Sequence, residues 1–149
     1  MRHTVQFRAK GHPNIRSRHK TTLMTTVEPH LTIRGDCIIA VDAETGLAQL
    51  PSEIKEAARN PETRITFSLK AGNYVFESTG RGDPELTYTD EIDMVARKSS
   101  YTCGRTLMVQ CDKAAVDIPK ELVEVLQDPE TVINVQLIYE TPRHQRVNF

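Results

Sequence analysis

The chain contains no tryptophan, and aromatic residues make up only 5% of its 149 positions. Proteins that bind single-stranded nucleic acid without sequence preference stack bases on aromatic side chains, so this scarcity argues against such a function. Long apolar segments are also absent, and no run approaches the roughly 20 residues that a membrane-spanning helix needs. The N-terminal residues show no apolar signal-peptide core. We therefore expect a cytoplasmic protein without membrane association.

Cysteine is scarce as well, and Cys37, Cys103 and Cys111 match no zinc-binding spacing such as C-x-x-C. An odd number of cysteines argues against a complete disulfide framework, so we expect reduced thiols. The remaining composition, 38% hydrophobic and 26% charged, is ordinary for a globular protein. The length predicts a single domain over residues 1–149 with a sizeable core, ending in a polar tail at 142–149.

Negative charge is missing from the N-terminal part of the chain. Residues 1–27 contain six Lys or Arg and no Asp or Glu, although the whole chain has 19 basic and 20 acidic residues. The rest of the chain is therefore acidic, with a balance of −7. A basic end on an acidic body predicts an anionic partner at that end.

Two parts of the sequence resemble each other at a spacing of 68 residues. Residues 50–65 align with residues 118–133, and eight of the twenty positions from 51 to 70 are identical to their counterparts. Unrelated segments would share roughly one or two. Further upstream, Phe7 and Gly11 align with Phe76 and Gly80. We interpret the chain as two copies of one unit, about residues 3–70 and 73–141.

Each copy has the pattern of three strands, a helix and a fourth strand. Alternating or continuous apolar residues predict the strands, and a 3.6-residue apolar period predicts the helices. In the first copy, strands are predicted at 4–9, 20–27, 37–41 and 65–69, and the helix at 51–60. In the second copy, strands are predicted at 74–78, 92–97, 107–111 and 132–139, the helix at 119–127, and a glycine loop at 80–84. Ala71-Gly72-Asn73 predicts a hairpin between the copies.

These elements predict an α+β, mainly β fold. The internally duplicated β-β-β-α-β unit would form one pseudo-two-fold, β-barrel-like domain with two helices. The order resembles that of the double-psi and related cradle-loop barrels, a likeness in fold that implies no activity. An exposed strand edge in a partly open barrel would also allow a homodimer.

The two copies differ most in residues 11–37, where the first copy gathers histidines and cations. This segment has Gly-His-Pro-Asn-Ile at 11–15, His-Lys-Thr-Thr at 19–22 and Arg-Gly-Asp-Cys-Ile at 34–38. These motifs resemble those of a small archaeal family classed as a domain of unknown function, and the resemblance covers nearly the full chain. The resemblance implies an archaeal cytoplasmic protein and assigns no catalytic residue. Because the scaffold needs what both copies share, we expect the functional site in this segment.

The cations of this segment point to binding of a phosphate-bearing ligand or of structured RNA. Guanidinium groups bind phosphate in a bidentate manner, and Gly11 lets the backbone approach an anion. The candidate ligand-binding residues are His12, Asn14, Arg16, Arg18, His19, Lys20 and Arg34.

A small enzyme is the alternative function for the same segment. A thiolate at Cys37, activated by His12 or His19, would be a nucleophile. A divalent metal such as Zn²⁺, held among His12, His19, Asp36 and Cys37, would be another route to catalysis, although the spacing matches no metal motif. A cysteine that opens an apolar strand is more often a packing residue, so the sequence leaves catalysis and cofactor open.

Overall fold

The computed structural model describes residues 1–32 and 35–143. Arg34 and most of the predicted tail, residues 144–149, lie outside the described residues. The strands are β1 Arg2–Lys10, β2 Thr22–Thr26, β3 Ile38–Ala40, β4 Arg64–Ala71, β5 Tyr74–Arg81, β6 Asp93–Arg97, β7 Thr106–Met108 and β8 Val132–Glu140. The helices are α1 Ser52–Arg59 and α2 Lys120–Leu126, and a 3₁₀ turn at Ala115–Asp117 precedes α2. The predicted α+β, mainly β class is confirmed.

Both helices begin directly after a proline, Pro51 or Pro119. A proline at the start of a helix loses no hydrogen bond, because the first N–H groups have no partner within the helix. The predicted apolar face of α1 is buried at Ile54, Ala57 and Ala58. The helices are short, so their stability comes from packing this face on the core.

The strands form two four-stranded sheets. The first is antiparallel throughout, in the order β1-β8-β4-β5. The second has the order β3-β2-β6-β7, in which β2 and β6 are antiparallel while β3 and β7 each run parallel to their neighbour. The predicted hairpin joins β4 to β5, with Ala71 opposite Tyr74 and Gly72 in the left-handed conformation at φ 58°.

The predicted barrel is wrong, because the two sheets do not close on each other. A single bridge on each side, Lys10 with Val41 and Arg81 with Val109, connects them. The apolar runs that predicted strands at 37–41 and 107–111 stop pairing early, and β3 and β7 have only three residues each. Asp42 and Gln110 follow the bridges with φ of 52° and 53°. This left-handed conformation turns the chain away from the sheet.

Corresponding strands of the two halves occupy corresponding places. β1 and β5 are the two edges of the first sheet, and β3 and β7 are the two edges of the second. The loop after β5 differs from the prediction, since Gly80 and Arg81 still belong to the strand and the loop begins at Gly82. Common origin of the halves stays a prediction.

The core lies between the sheets and the helices, and its buried side chains from both halves form one contiguous cluster. Helix α1 packs on β8 and α2 packs on β4, so each helix contacts a strand of the other half. Within residues 1–32 and 35–143, no helix is long and apolar enough to cross a membrane.

Candidate functional site

The loop after β1 is attached to the end of α2. The Gly11 N–H donates to the Thr131 carbonyl at 3.2 Å, and the His12 N–H donates to the Leu126 carbonyl at 2.9 Å. A Cβ on Gly11 would overlap the carbonyl oxygens of Leu126 and Asp128, so only glycine fits here. The sequence analysis expected an anion to approach the backbone at Gly11. Carbonyl groups of the protein itself occupy that position instead.

His12 stabilises the turn that follows this attachment. Its Nδ1 accepts the Asn14 N–H at 3.0 Å, and the Asn14 amide Nδ2 donates to the Leu31 carbonyl at 2.7 Å. In the corresponding loop of the second half, Asp83 Oδ1 accepts the Glu85 N–H at 2.9 Å. His12 thus makes the contact that an aspartate makes in the other half.

His19 has a similar role at the start of β2. Its Nδ1 accepts the N–H groups of Thr21 and Thr22 at 3.2 and 3.1 Å. A backbone N–H can only donate, so Nδ1 carries no proton and a neutral ring has its proton on Nε2. In the second half, Asp90 Oδ1 accepts the two corresponding N–H groups, both at 2.8 Å.

The predicted His/Asp/Cys set is not assembled into a metal centre. His12 is bonded to Leu126 at the end of α2, whereas the His19 carbonyl accepts the Val116 N–H at 3.0 Å, before α2 begins. The backbones of His12 and His19 are therefore attached at opposite ends of that helix. Among the residues that the structure describes, no group of three or more His, Cys, Asp or Glu is placed to hold a metal.

Cys37 lacks the electrostatic environment of an activated nucleophile. Burial raises the pKa of its thiol, and a hydrogen bond with Thr22 offsets only part of that effect. A raised pKa leaves less thiolate at neutral pH, which is the opposite of what nucleophilic catalysis needs.

The thiol with a lowered pKa is Cys103, which the sequence analysis did not single out. Burial raises the pKa of this thiol, but hydrogen bonds with Thr106, the Arg105 backbone and Arg97 outweigh burial and bring the pKa below its usual range. The Arg97 Nη2 lies 3.5 Å from the sulfur. Two arginines within eight residues of Cys103 were the signal available in the sequence.

The predicted cations Arg16 and Arg18 do share a surface. Ser17 between them is buried in the left-handed conformation at φ 55°, and its hydroxyl donates to the Ala115 carbonyl at 2.6 Å. This contact turns the loop so that both arginines line a groove of about 570 Å³ beside α2, together with Lys120. Sequence analysis missed Lys120, because only the fold brings α2 to this loop.

The groove has both apolar and charged side chains in its lining. Val116, Ile118 and Val123 are the apolar ones, of which Val116 is exposed, and Glu124 and Gln127 complete the lining. The Gln127 side chain donates to the Ile15 carbonyl at 2.9 Å, so the helix and the loop are held together across the groove. Arg16 Nε lies 3.9 Å from Asp36 Oδ1. The predicted residue Lys20 is exposed and does not line this groove.

The basic N-terminal residues divide between two surfaces. Arg2, Arg8 and Lys10 lie on β1, whose exposed side chains alternate with buried ones, so these cations share the outer face of the first sheet. Arg16 and Arg18 lie in the groove beside α2. The basic residues of the N-terminal part therefore lie on two surfaces, and an anionic partner at that end stays a prediction.

The fold and this geometry define a small α+β protein with two cationic surfaces. Residues 7–140 match the family model described as a domain of unknown function (DUF371), and the chain belongs to this family. A relative, "Uncharacterized protein MJ0206" from Methanocaldococcus jannaschii, is 39% identical over 127 residues, which cover 85% of this chain and 93% of the relative. These matches confirm the resemblance to a family of unknown function, and this relative is archaeal.

Proposed function

We propose that the protein binds a phosphate-bearing ligand in the groove between residues 16–18 and α2. The observation that carries this proposal is the meeting of Arg16, Arg18 and Lys120, from two distant parts of the sequence, around one groove. Guanidinium groups take two phosphate oxygens at once, and the lysine ammonium adds a point charge.

The size and lining of the groove favour a small ligand over structured RNA. Its volume of about 570 Å³ is in the usual range for small-molecule sites. The apolar side chains of Val116, Ile118 and Val123 in the lining suit an apolar or aromatic part of the ligand. Glu124 adds a negative charge to the lining and would repel a second phosphate, so we expect a monophosphate to bind better than a polyanion.

Isothermal titration calorimetry with inorganic phosphate and with AMP tests this proposal. Arg18→Gln and Lys120→Gln each remove one charge from the groove, and we expect each to weaken binding roughly tenfold or more, as for loss of a charge-assisted hydrogen bond. Lys20→Gln is the matched control, because Lys20 is an exposed cation of the same segment outside the groove. Equal weakening in the control, or no saturable binding to the unmodified protein, contradicts the proposal.

We also infer that the two halves arose by duplication. Support comes from paired backbone features: Gly11 and Gly82 each contact carbonyls at the end of a helix, and Ser17 and Tyr88 both have left-handed backbone.

A cytoplasmic location is also part of the proposal, in keeping with free thiols at all three cysteines. We further propose a homodimer, for which the edge strand β5 is available, because its Val75 is 61% exposed.

A further inference from the structure

The outer face of the first sheet is a polar surface that is four strands wide. Cross-strand pairing arranges its side chains in rows. One row contains Arg8, Asn134, Lys70 and Val75, and the next contains Gln6, Gln136, Ser68 and Glu77. Neighbouring strands are about 4.8 Å apart, so the α-carbons of Arg8 and Lys70 lie roughly 10 Å apart with Asn134 between them.

This face is positively charged, although the whole chain has a net charge of −1. The strands place six cations and two acids on it: Arg2, Arg8, Lys10, Arg64, Lys70, Arg81, Glu77 and Glu140. Such an excess attracts anions and raises their local concentration.

A cavity of about 590 Å³ covers the end of the face that holds Arg8 and Lys70. Glu44, from the segment after β3, forms one side of it. The carboxylate of Glu44 accepts the Arg8 N–H at 2.6 Å and lies 3.3 Å from the Arg8 guanidinium. Arg8 is therefore held at the edge of the cavity, so less conformational entropy would be lost when it binds a ligand.

The two halves differ on this face although both use the same backbone contacts. Thr79 takes the place of Arg8 in the second half, since its N–H is bound by the Asp112 carboxylate at 2.9 Å as that of Arg8 is by Glu44. The row of Thr79 continues with Thr66 and Ile138. Both cations are thus absent from that row. The pair Arg8 and Lys70 is therefore not required by the backbone contacts that the two halves share.

We propose that this face binds a ribose-phosphate unit, either of a free nucleotide or of an RNA strand. Arg8 and Lys70 would contact the phosphate. The amides of Gln6, Asn134 and Gln136 both donate and accept hydrogen bonds, as the ribose 2′-hydroxyl does. Phe7 is the aromatic residue of the cavity lining and is buried, so recognition relies on charge and hydrogen bonds rather than stacking. The proposal does not rest on the groove beside α2.

Fluorescence anisotropy at low, fixed salt, with a short labelled single-stranded RNA and DNA of the same sequence, tests the RNA source. Calorimetric titration with AMP tests the free nucleotide. We expect Lys70→Gln and Arg8→Gln each to weaken binding roughly tenfold or more, by loss of a charge-assisted contact. Lys70 is exposed, so its variant is expected to fold even if Arg8→Gln loosens the Glu44 segment.

Two controls locate the site. Arg64→Gln removes a cation from the opposite end of the same face, and Lys20→Gln removes an exposed cation that belongs neither to the strands of this face nor to the lining of the groove beside α2. Neither is expected to change binding as much as Lys70→Gln does. Binding of RNA alone or of AMP alone supports the proposal and identifies the source, provided that Lys70→Gln weakens it. AMP binding that Arg18→Gln weakens but Lys70→Gln leaves unchanged belongs to the groove beside α2.

Three results would overturn it. The first is no binding of RNA or AMP by the unmodified protein, or binding that Lys70→Gln leaves unchanged. The second is equal affinity for RNA and DNA in the absence of AMP binding, which removes the role of the 2′-hydroxyl. The third is an equal loss of binding affinity in Arg64→Gln and Lys70→Gln, which is the result expected if binding depends only on the overall charge of the face.

Discussion

At the scale of single residues, the two histidines of the first loop hold backbone N–H groups. His12 and His19 each accept through Nδ1, which leaves only Nε2 for any other partner. Asp83 and Asp90 make the corresponding contacts in the second half. The need for a side-chain acceptor in these turns therefore explains why a histidine stands at each position, independently of any contact that Nε2 makes.

Replacement of His19 by aspartate should preserve stability, whereas replacement by alanine should not. His19→Ala leaves the N–H groups of Thr21 and Thr22 without this acceptor, and loss of such a capping contact costs about 1 kcal/mol. His19→Asp restores a carboxylate of the kind found at Asp90. Urea denaturation of the three proteins measures the difference.

Asp90→Ala is the matched control for this prediction, because Asp90 binds the corresponding pair of N–H groups. We expect it to cost a similar amount of stability. If His19→Asp is as unstable as His19→Ala, the capping role is wrong.

The sequence predicts this role once the two halves are compared in the register that the structure shows, which differs here by two residues from the predicted one. Gly11 was matched with Gly80, whereas Gly82 makes the corresponding helix contact. Matching Gly11 with Gly82 places His12 opposite Asp83 and His19 opposite Asp90. An aspartate opposite a histidine favours a turn over a metal ligand, because aspartate is the usual side-chain acceptor in such turns.

At the scale of elements, a glycine joins each edge strand of the first sheet to a helix of the other half. Gly11 follows β1 and contacts the end of α2, and Gly82 follows β5 and contacts the end of α1. These close contacts fix the position of each helix against the sheet.

Alanine at Gly11 or Gly82 should therefore destabilise the protein strongly. A Cβ would overlap carbonyl oxygens of Leu126 and Asp128 in one case, and of Ala58 and Asn60 in the other. Overpacking of this kind costs about 1–3 kcal/mol, and backbone atoms move less readily than side chains. Chemical denaturation of each variant gives the free energy of unfolding.

Gly72→Ala provides the comparison, since a Cβ there meets nothing within 4 Å and the strain comes from the φ of 58° alone. We expect a smaller loss, about 1 kcal/mol. A larger loss for Gly72→Ala than for Gly11→Ala would show that close packing is not the dominant effect.

Strands and helices could be predicted from the sequence where the spacing of apolar side chains determines the element. Whether the sheets close into a barrel could not be predicted in this way. Alternation predicted β1 and β4, and a 3.6-residue period predicted the apolar face of α1, because burial of one face selects the period of each element. The ends of β3 and β7 depend on left-handed backbone at Asp42 and Gln110, a conformation that neither residue type requires. Arg8 and Arg16 are both part of the basic N-terminal charge pattern. Alternation along β1 places Arg8 on the outer face of the first sheet, whereas Arg16 follows β1 and lines the groove beside α2.

At the scale of the whole molecule, a buried tyrosine pair connects the two sheets. Tyr139 on β8 lies with its hydroxyl 2.9 Å from that of Tyr88, which donates to the Leu107 carbonyl on β7 at 2.7 Å. Both side chains are fully buried. Burial raises the pKa of both phenols, and the neighbouring Tyr139 raises that of Tyr88 further.

These raised values predict a loss of stability in alkaline solution. In the unfolded chain each phenol loses its proton near pH 10, whereas in the folded protein it keeps the proton to higher pH. The folded state then binds more protons than the unfolded state, so the contribution of the pair is complete below about pH 10 and falls as pH rises. Each tyrosine adds a slope of about 1.4 kcal/mol per pH unit in that range.

Tyr139→Phe should reduce this slope by about 1.4 kcal/mol per pH unit, because it removes one of the two buried phenols. The bond from Tyr88 to Leu107 is kept, so the variant is expected to fold. Urea denaturation at a series of pH values from neutral to alkaline, with phenolate absorbance recorded in parallel, measures both effects. Since lysines titrate in the same range in both proteins, only the difference between the two slopes reports on the pair. Equal slopes for the two proteins would mean that the Tyr139 phenol does not contribute to the pH dependence of the free energy of unfolding.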